Sequence, residues 1–225
     1  SLIVKIDIRT GAISYFDTNG SALLREDAMI PRVGTKVFTE RVTYDEASKR
    51  VEKTANGDIE VKTVLTRDTV GASWKYKMNF RWMPSEALYG LGSHMEDYMN
   101  LKGKELYLCQ HNLKAMVPVI NSTAGYGLLF DAGCSMLFRD TEEVGYVELE
   151  AAKQIDYYFM KGKTMDAVIA NYRLLTGKSP MMPLYLFGYI QSKERYVSSD
   201  DLINTLKQFR QRQIPVDMIV QDWNY

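Results

Sequence analysis

The sequence predicts a mainly β chain: an N-terminal antiparallel β-sandwich followed by a compact β-α-β unit. Two observations carry that prediction. Over residues 1–162 apolar residues recur with a period of two, broken by Gly, Asn and Asp, as in LIVKIDI at 2–8, IEVKTVL at 59–65 and WKYKMNF at 74–80. After Gly162 the period lengthens to that of a helix, and two apolar runs then bracket one helical stripe. Composition permits this: 225 residues, 46% hydrophobic, 12% aromatic and 25% charged, an ordinary globular balance.

Within the sandwich, the turn signals TNG at 18–20 and NGD at 56–58 separate apolar runs at hairpin-like intervals. GYGLLF at 125–130 and QIDYYFM at 154–160 continue the alternation, and no fixed-period repeat or low-complexity stretch interrupts it. Thr164 is placed to cap a helix whose apolar positions are Met165, Val168, Ile169, Tyr172 and Leu175. Gly177 closes that helix, and Pro180 and Pro183 prevent its continuation. Residues 163–183 therefore read as a connecting helix and linker. LYLFGYI at 184–190 is a continuous apolar run, as expected of a strand covered on both faces. Ser198 with Asp201 three residues on resembles a capping box, and Leu202, Leu206 and Phe209 form the stripe of the following helix. Pro215 ends the crossover, and VDMIV at 216–220 starts a second buried strand. Two parallel strands and one helix do not bury a core. Residues 184–225 thus read as the front of a longer enzyme, the other option being an appendage packed on the sandwich.

Several functions are disfavoured early. With 28 Lys+Arg against 28 Asp+Glu the formal net charge is zero, so nothing draws the whole molecule to nucleic acid or to an anionic membrane. No apolar run approaches the ~18–20 residues of a membrane span. The chain begins directly in SLIVKIDIRT, without a signal-peptide pattern, which leaves the compartment open between cytoplasm and a processed secreted form. Two cysteines, Cys109 and Cys134, do not make a disulfide scaffold or a Cys-built metal site; they read as small buried thiols, with a bridge between them left open. His94 and His111 lack a partner at ligand spacing. Gly90 and Gly92 lack the helix and third glycine of a dinucleotide loop and read as a bulge or a close backbone approach. Asn121-Ser122-Thr123 fits the glycosylation sequon.

In a right-handed β-α-β unit the segments that follow both strands share one rim. Here that rim carries QSKERY at 191–196 and QDWNY at 221–225. Asp222 beside Trp223 suits a sugar: an ionised carboxylate accepts charge-assisted hydrogen bonds from two neighbouring hydroxyls, and an indole covers the C–H face of a pyranose. The plainer alternative is that Asp222 caps the next element and Trp223 belongs to a core.

FGYIQSKERY at 187–196 and IPVDMIVQDWNY at 214–225 resemble the opening of the catalytic barrel of glycoside hydrolase family 31. LYGLG at 88–92, NLKGK at 100–104, GYGLLFD at 125–131 and YRLLTGKSP at 172–180 resemble that family's N-terminal region in the expected order, whereas residues 1–79 agree only in being β-rich. The resemblance implies a retaining, exo-acting α-glycosidase with an N-terminal β-sandwich (1–162), the connecting segment (163–183) and the first β-α-β of a (β/α)8 barrel (184–225). It implies substrate-binding roles for Asp222, similar to the aspartate that hydrogen-bonds the sugar at subsite −1, for Trp223 beside it, and for Gln191 and Arg195 in the loop after the first strand. The strings look most like the α-xylosidase branch, with α-glucosidase next. A retaining mechanism needs two carboxyl groups about 5–5.5 Å apart. In the resembled family both come from later barrel strands, so no catalytic residue is expected here and the chain alone is expected to be inactive.

No metal or organic cofactor is implied, and the expected partner is an oligosaccharide, with a homo-oligomer left open. A second reading is a non-catalytic carbohydrate-binding sandwich in which Trp74, Trp82 and the tyrosines form a sugar platform. A third is a structural sandwich, self-associating through exposed apolar edges at residues 184–225.

Overall fold

A computed structural model describes residues 1–55, 57–141 and 145–222. The chain divides into two compact units, Ser1–Thr176 and Gly177–Tyr225.

The first unit is built from β1 (Ile3–Ile6), β2 (Ile13–Phe16), β3 (Ala22–Glu26), β4 (Arg32–Thr54), β5 (Gly57–Arg81), β6 (Leu88–Ser93), β7 (Glu105–Leu108), β8 (Ala115–Ser122), β9 (Tyr126–Phe130), β10 (Met136–Asp140), β11 (Gly145–Ala152), β12 (Tyr157–Lys161) and α1 (Met165–Thr176). An eight-stranded sheet runs β1-β2-β3-β5-β11-β10-β7, with β4 also paired to β5; a four-stranded sheet runs β12-β9-β8-β6. Every pairing in both is antiparallel. One apolar cluster joins the sheets: Met78, Phe80, Phe138, Val147 and Leu149 from the larger meet Leu88, Ile120, Tyr126, Leu128 and Phe130 from the smaller. The alternation read from the sequence is therefore that of a two-layer β fold, cleanest in β7 and β10, where core-facing and outward residues alternate.

Two buried carboxylates tie loops to this core. Glu86 accepts from the Met83 amide at 2.5 Å, the Tyr126 hydroxyl at 2.7 Å and the Ser122 hydroxyl. Glu26 accepts from the Tyr157 hydroxyl at 2.9 Å, the Ile13 amide at 2.8 Å and Arg32 at 2.8 Å. Each is hydrogen-bonded on several sides, as a buried charge must be.

The connecting helix belongs to the first unit. Thr164 caps it, its hydroxyl accepting from the Ala167 amide at 3.2 Å. Val168 is wholly buried against Val119 and Met160 of the smaller sheet. Gly177 follows in the left-handed region at φ 87°. Ile169 and Leu175, read as apolar positions of the same helix, are exposed.

The second unit holds a 3₁₀ turn (Leu184–Phe187), β13 (Ile190–Lys193), α2 (Ser199–Gln211) and β14 (Met218–Gln221). β13 and β14 pair in parallel, Ile190 with Met218 through Lys193 with Gln221. The expected buried strand at 184–190 is not formed. Leu184 and Phe187 are 87% and 75% exposed on the 3₁₀ turn, and the strand begins only at Ile190. The reason is local: Pro183 enters in an extended conformation, and a Cβ on Gly188 would stand 2.0 Å from the Asp217 carboxylate. That carboxylate instead caps the Tyr189 amide at 3.1 Å, which fixes where the ladder starts.

Candidate functional site

The parallel register brings the carboxyl ends of β13 and β14 level, with Lys193 opposite Gln221. Residues 194 and 222 are therefore the first beyond the ladder on each strand. Gln191, expected in the loop after the first strand, lies inside β13, because that strand starts six residues later than the apolar run suggested. Its amide is committed within the unit: Oε1 accepts from the Tyr189 hydroxyl at 2.6 Å, and Nε2 donates to the Ser192 carbonyl at 3.2 Å and toward the Tyr196 hydroxyl at 3.4 Å. Arg195 is exposed in the turn that follows β13. Asp222 is exposed at the end of β14. Trp223 lies outside the described residues.

Two residues not singled out from the sequence organise this rim. Tyr196 is 3% exposed, receives the Lys193 ammonium over its ring at 4.7 Å, and accepts from Gln221 Nε2 at its carbonyl at 3.4 Å. Gln191 and Gln221 are thus both held by Tyr196. The sequence carried no signal for this beyond a tyrosine closing the QSKERY string, since Gln191 pairs with Ile219 and Gln221 with Lys193. Lys193 also pairs with Asp201 at 3.4 Å, and Asp201 accepts from the Val197 amide at 3.2 Å while the Ser198 hydroxyl accepts from the Asp201 amide at 3.2 Å. The capping pattern read at Ser198 is therefore present, and it anchors the β13–α2 turn to the helix. The rim presents the exposed carboxylates of Glu194 and Asp222 and the exposed guanidinium of Arg195 above buried Tyr196 and the partly buried amides, groups able to accept from and donate to hydroxyls.

The first unit holds the remaining candidates. Trp82 is no sugar platform: it is 8% exposed just past the end of β5, stacked on Phe80 at 4.9 Å with the Phe138 ring 6.4 Å away in the core. Trp74 is 41% exposed. Cys109 and Cys134 are free, partly buried thiols lining one depression of about 280 Å³. His94 lies with Glu96 and Tyr98 around a depression of about 310 Å³, its ring 6.0 Å from that of Tyr98. The Glu96 carboxylate there is paired with Lys114 at 3.3 Å. Among the described residues no cluster of three metal-ligating side chains occurs. Asn121 of the sequon is 6% exposed, its amide donating to the Met165 carbonyl at 3.2 Å, so it is closed to glycosylation. Gly90 and Gly92 form the expected bulge, their φ of 117° and 95° flanking a register shift against β8.

Comparison with known proteins adds sequence and fold similarity. The profile of the glycosyl hydrolases family 31 TIM-barrel domain matches residues 179–225. An alpha-xylosidase of Saccharolobus solfataricus is 38% identical over 166 residues, 68% of this chain and 22% of that protein. An alpha-xylosidase A of Aspergillus niger is 29% identical over 159 residues, 68% of this chain and 21% of that protein. The chain thus spans about a fifth of the length of these relatives. A GH31 alpha-xylosidase from a soil metagenome, solved with xylose, superposes with a TM-score of 0.74 at 24% identity, covering 99% of this chain and 31% of that one. On these matches the chain belongs to glycosyl hydrolase family 31.

Proposed function

We propose that this chain is the N-terminal portion of a retaining exo-α-glycosidase that removes terminal α-linked xylose or glucose from oligosaccharides. Residues 184–225 are the first β-α-β of its (β/α)8 barrel. The observation that carries this reading is the parallel pairing of β13 with β14, which leaves Asp222 exposed at the carboxyl end of the second strand, where α/β barrels keep their working residues. The 38% identity to an alpha-xylosidase supports xylose as the first sugar to try. In this role the Asp222 carboxylate accepts from two sugar hydroxyls and Arg195 reaches the rim from the β13 turn, with a sugar-stacking role for the neighbouring Trp223 proposed from the sequence alone. Gln191 acts one layer down, through Tyr196, by holding that turn in place. The two catalytic carboxyls come from outside these residues, so the chain alone turns over nothing.

The test is hydrolysis of an aryl α-xyloside and an aryl α-glucoside by the complete protein, by Asp222→Ala in it, and by the 225-residue chain. The expected result is turnover by the complete protein, a loss of about 10²–10³-fold in kcat/KM on removing Asp222, and none by the short chain. Normal turnover by the short chain, or an unaltered Asp222→Ala enzyme, overturns the assignment.

A further inference from the structure

Past residue 74 the β4–β5 ribbon leaves the sheet. β11 ends opposite Trp74, and among the described residues the ribbon beyond it has no third strand. Its two faces differ sharply. The register places Trp74, Phe38, Val42, Tyr44 and Val64 on the face that runs on along β5 as Tyr76, Met78 and Phe80. Bulges at Thr39/Glu40 and Thr43/Tyr44 each skip one residue of β5, so β4 keeps its phase. Contacts agree with that phase: the Trp74 and Tyr76 rings are 6.3 Å apart, the Lys36 ammonium lies 5.5 Å over Phe38, and Glu40 pairs with Arg67 at 3.2 Å. A Cβ on Gly34 would stand 3.1 Å from the Tyr76 ring and 3.5 Å from that of Trp74, so its bare backbone lets both rings lie across the ribbon. Met78 and Phe80 on this face are in the core, whereas Phe38 is 61%, Tyr44 46% and Trp74 41% exposed. The opposite face carries one apolar residue of β4, Val37, among Thr39, Arg41, Thr43, Thr66 and Asp68.

We infer that this apolar face is a homodimer interface, covered by the same face of a second copy's ribbon. An isolated two-stranded ribbon is marginal in water, and a core-type stripe continued into solvent needs cover. Residues 36–73 carry seven basic and seven acidic side chains, so the ribbon offers no net charge to a polyanion or an anionic membrane. Its charge is instead self-complementary. Glu40 and Arg67 sit side by side in mid-stripe, and a two-fold axis there sets each against its opposite on the other copy. The stripe from position 36 to 44 is about 30 Å long at ~3.3 Å per residue. At a width near ~15 Å, two such faces bury about 900 Å², less than a stable specific pair and the size of a weak, reversible one. This inference is independent of the glycosidase reading.

Sedimentation of the complete protein over a hundredfold concentration range tests it, with Phe38→Glu on the apolar face and Thr39→Glu on the opposite face of the same strand. Circular dichroism and urea midpoints establish that both variants fold. The expected result is a reversible wild-type dimer, weakened at least tenfold by Phe38→Glu and unchanged by Thr39→Glu. A wild type monomeric throughout overturns the inference, as does association that Phe38→Glu leaves intact, which would place the contact elsewhere, such as the exposed apolar residues of 177–225. Loss of xylo- or gluco-oligosaccharide binding in Phe38→Glu with unaltered sedimentation also overturns it and makes the stripe a sugar platform.

Discussion

Gly90 holds φ at 117°, and a Cβ there would stand 2.2 Å from the Val119 carbonyl oxygen; at Gly92 the Ala115 carbonyl oxygen is 2.1 Å away. Gly20 shares a left-handed φ of 84° but has nothing within 4 Å. The pair separates two costs. Gly20→Ala is expected to lose about 1–2 kcal/mol from backbone strain alone. Gly90→Ala adds an overlap with backbone that cannot move aside and is expected to lose about 3 kcal/mol or more; urea unfolding of the two variants checks the order. The sequence marked Gly90 and Gly92 correctly because glycine is its own signal. It gave no sign of Glu86, since one carboxylate in an irregular stretch looks like any surface charge until Tyr126 and Ser122 are folded onto it. Burial, then the Glu86 carboxylate, pushes the Tyr126 hydroxyl far above the ordinary tyrosine range; burial, then Tyr15, does the same to Tyr157. Below about pH 10 folded and unfolded chains both keep these protons. Above it only the unfolded chain loses them, so stability falls by about 1.4 kcal/mol per pH unit for each tyrosine. Tyr126→Phe leaves Glu86 one donor short and is expected to cost about 1–2 kcal/mol at pH 7. It should nevertheless make the alkaline decline shallower by about 1.4 kcal/mol per pH unit, as read from urea midpoints above pH 10. An unaltered alkaline slope would show that Tyr126 ionises freely in the folded protein.

At the scale of elements, period and punctuation located most of what forms. The TNG turn lies in a hairpin, Gly57 and Asp58 of NGD pair with Thr54 and Lys53 in another, and the helices at Thr164 and Ser198 start where their caps are. Two features of the strands were hidden in the sequence for physical reasons. IEVKTVL and WKYKMNF are parts of one strand, β5, of 25 residues, because bulges absorb slips of phase that look like strand breaks in the sequence. The run at 184–190 is apolar without alternation, and such a run does not distinguish a covered strand from a turn that a partner later covers. The true strand, IQSK, is the polar piece after it. The cap of α2 is testable at this scale. Ser198 satisfies the Asp201 amide, and Ser198→Ala is expected to cost about 1 kcal/mol of helix stability, whereas Ser198→Gly costs only a few tenths. Amide exchange in the first turn of α2 should then quicken about fivefold in the alanine variant and little in the glycine variant.

For the molecule as a whole, burial is divided unevenly between the two units. The first unit encloses the large apolar cluster, whereas in the second, among the described residues, only Tyr196 and Val216 are buried. Leu184, Tyr185, Phe187 and Tyr189 of the second unit are all exposed, although their sequence has the apolar character of a core. A segment this short rarely stabilises itself without a disulfide, a metal or a partner surface. Its local devices, the Ser198 cap, the Asp217 contact with Tyr189 and the Tyr196 anchor, define a conformation without supplying a core. Hydrogen exchange on the 225-residue chain should therefore separate the units: slow amides through β5, β9, β10 and β11, and amides of β13, α2 and β14 exchanging orders of magnitude faster, at rates set by local opening. If residues 184–225 open a barrel, the complete protein supplies the missing strands and helices, and the same amides should become as slow as those of the sandwich. Strong protection of β13 and β14 in the short chain would mean that this unit is finished as it stands. The apolar run at 184–190 would then have no covering strand to wait for, and the barrel reading would lose its physical basis.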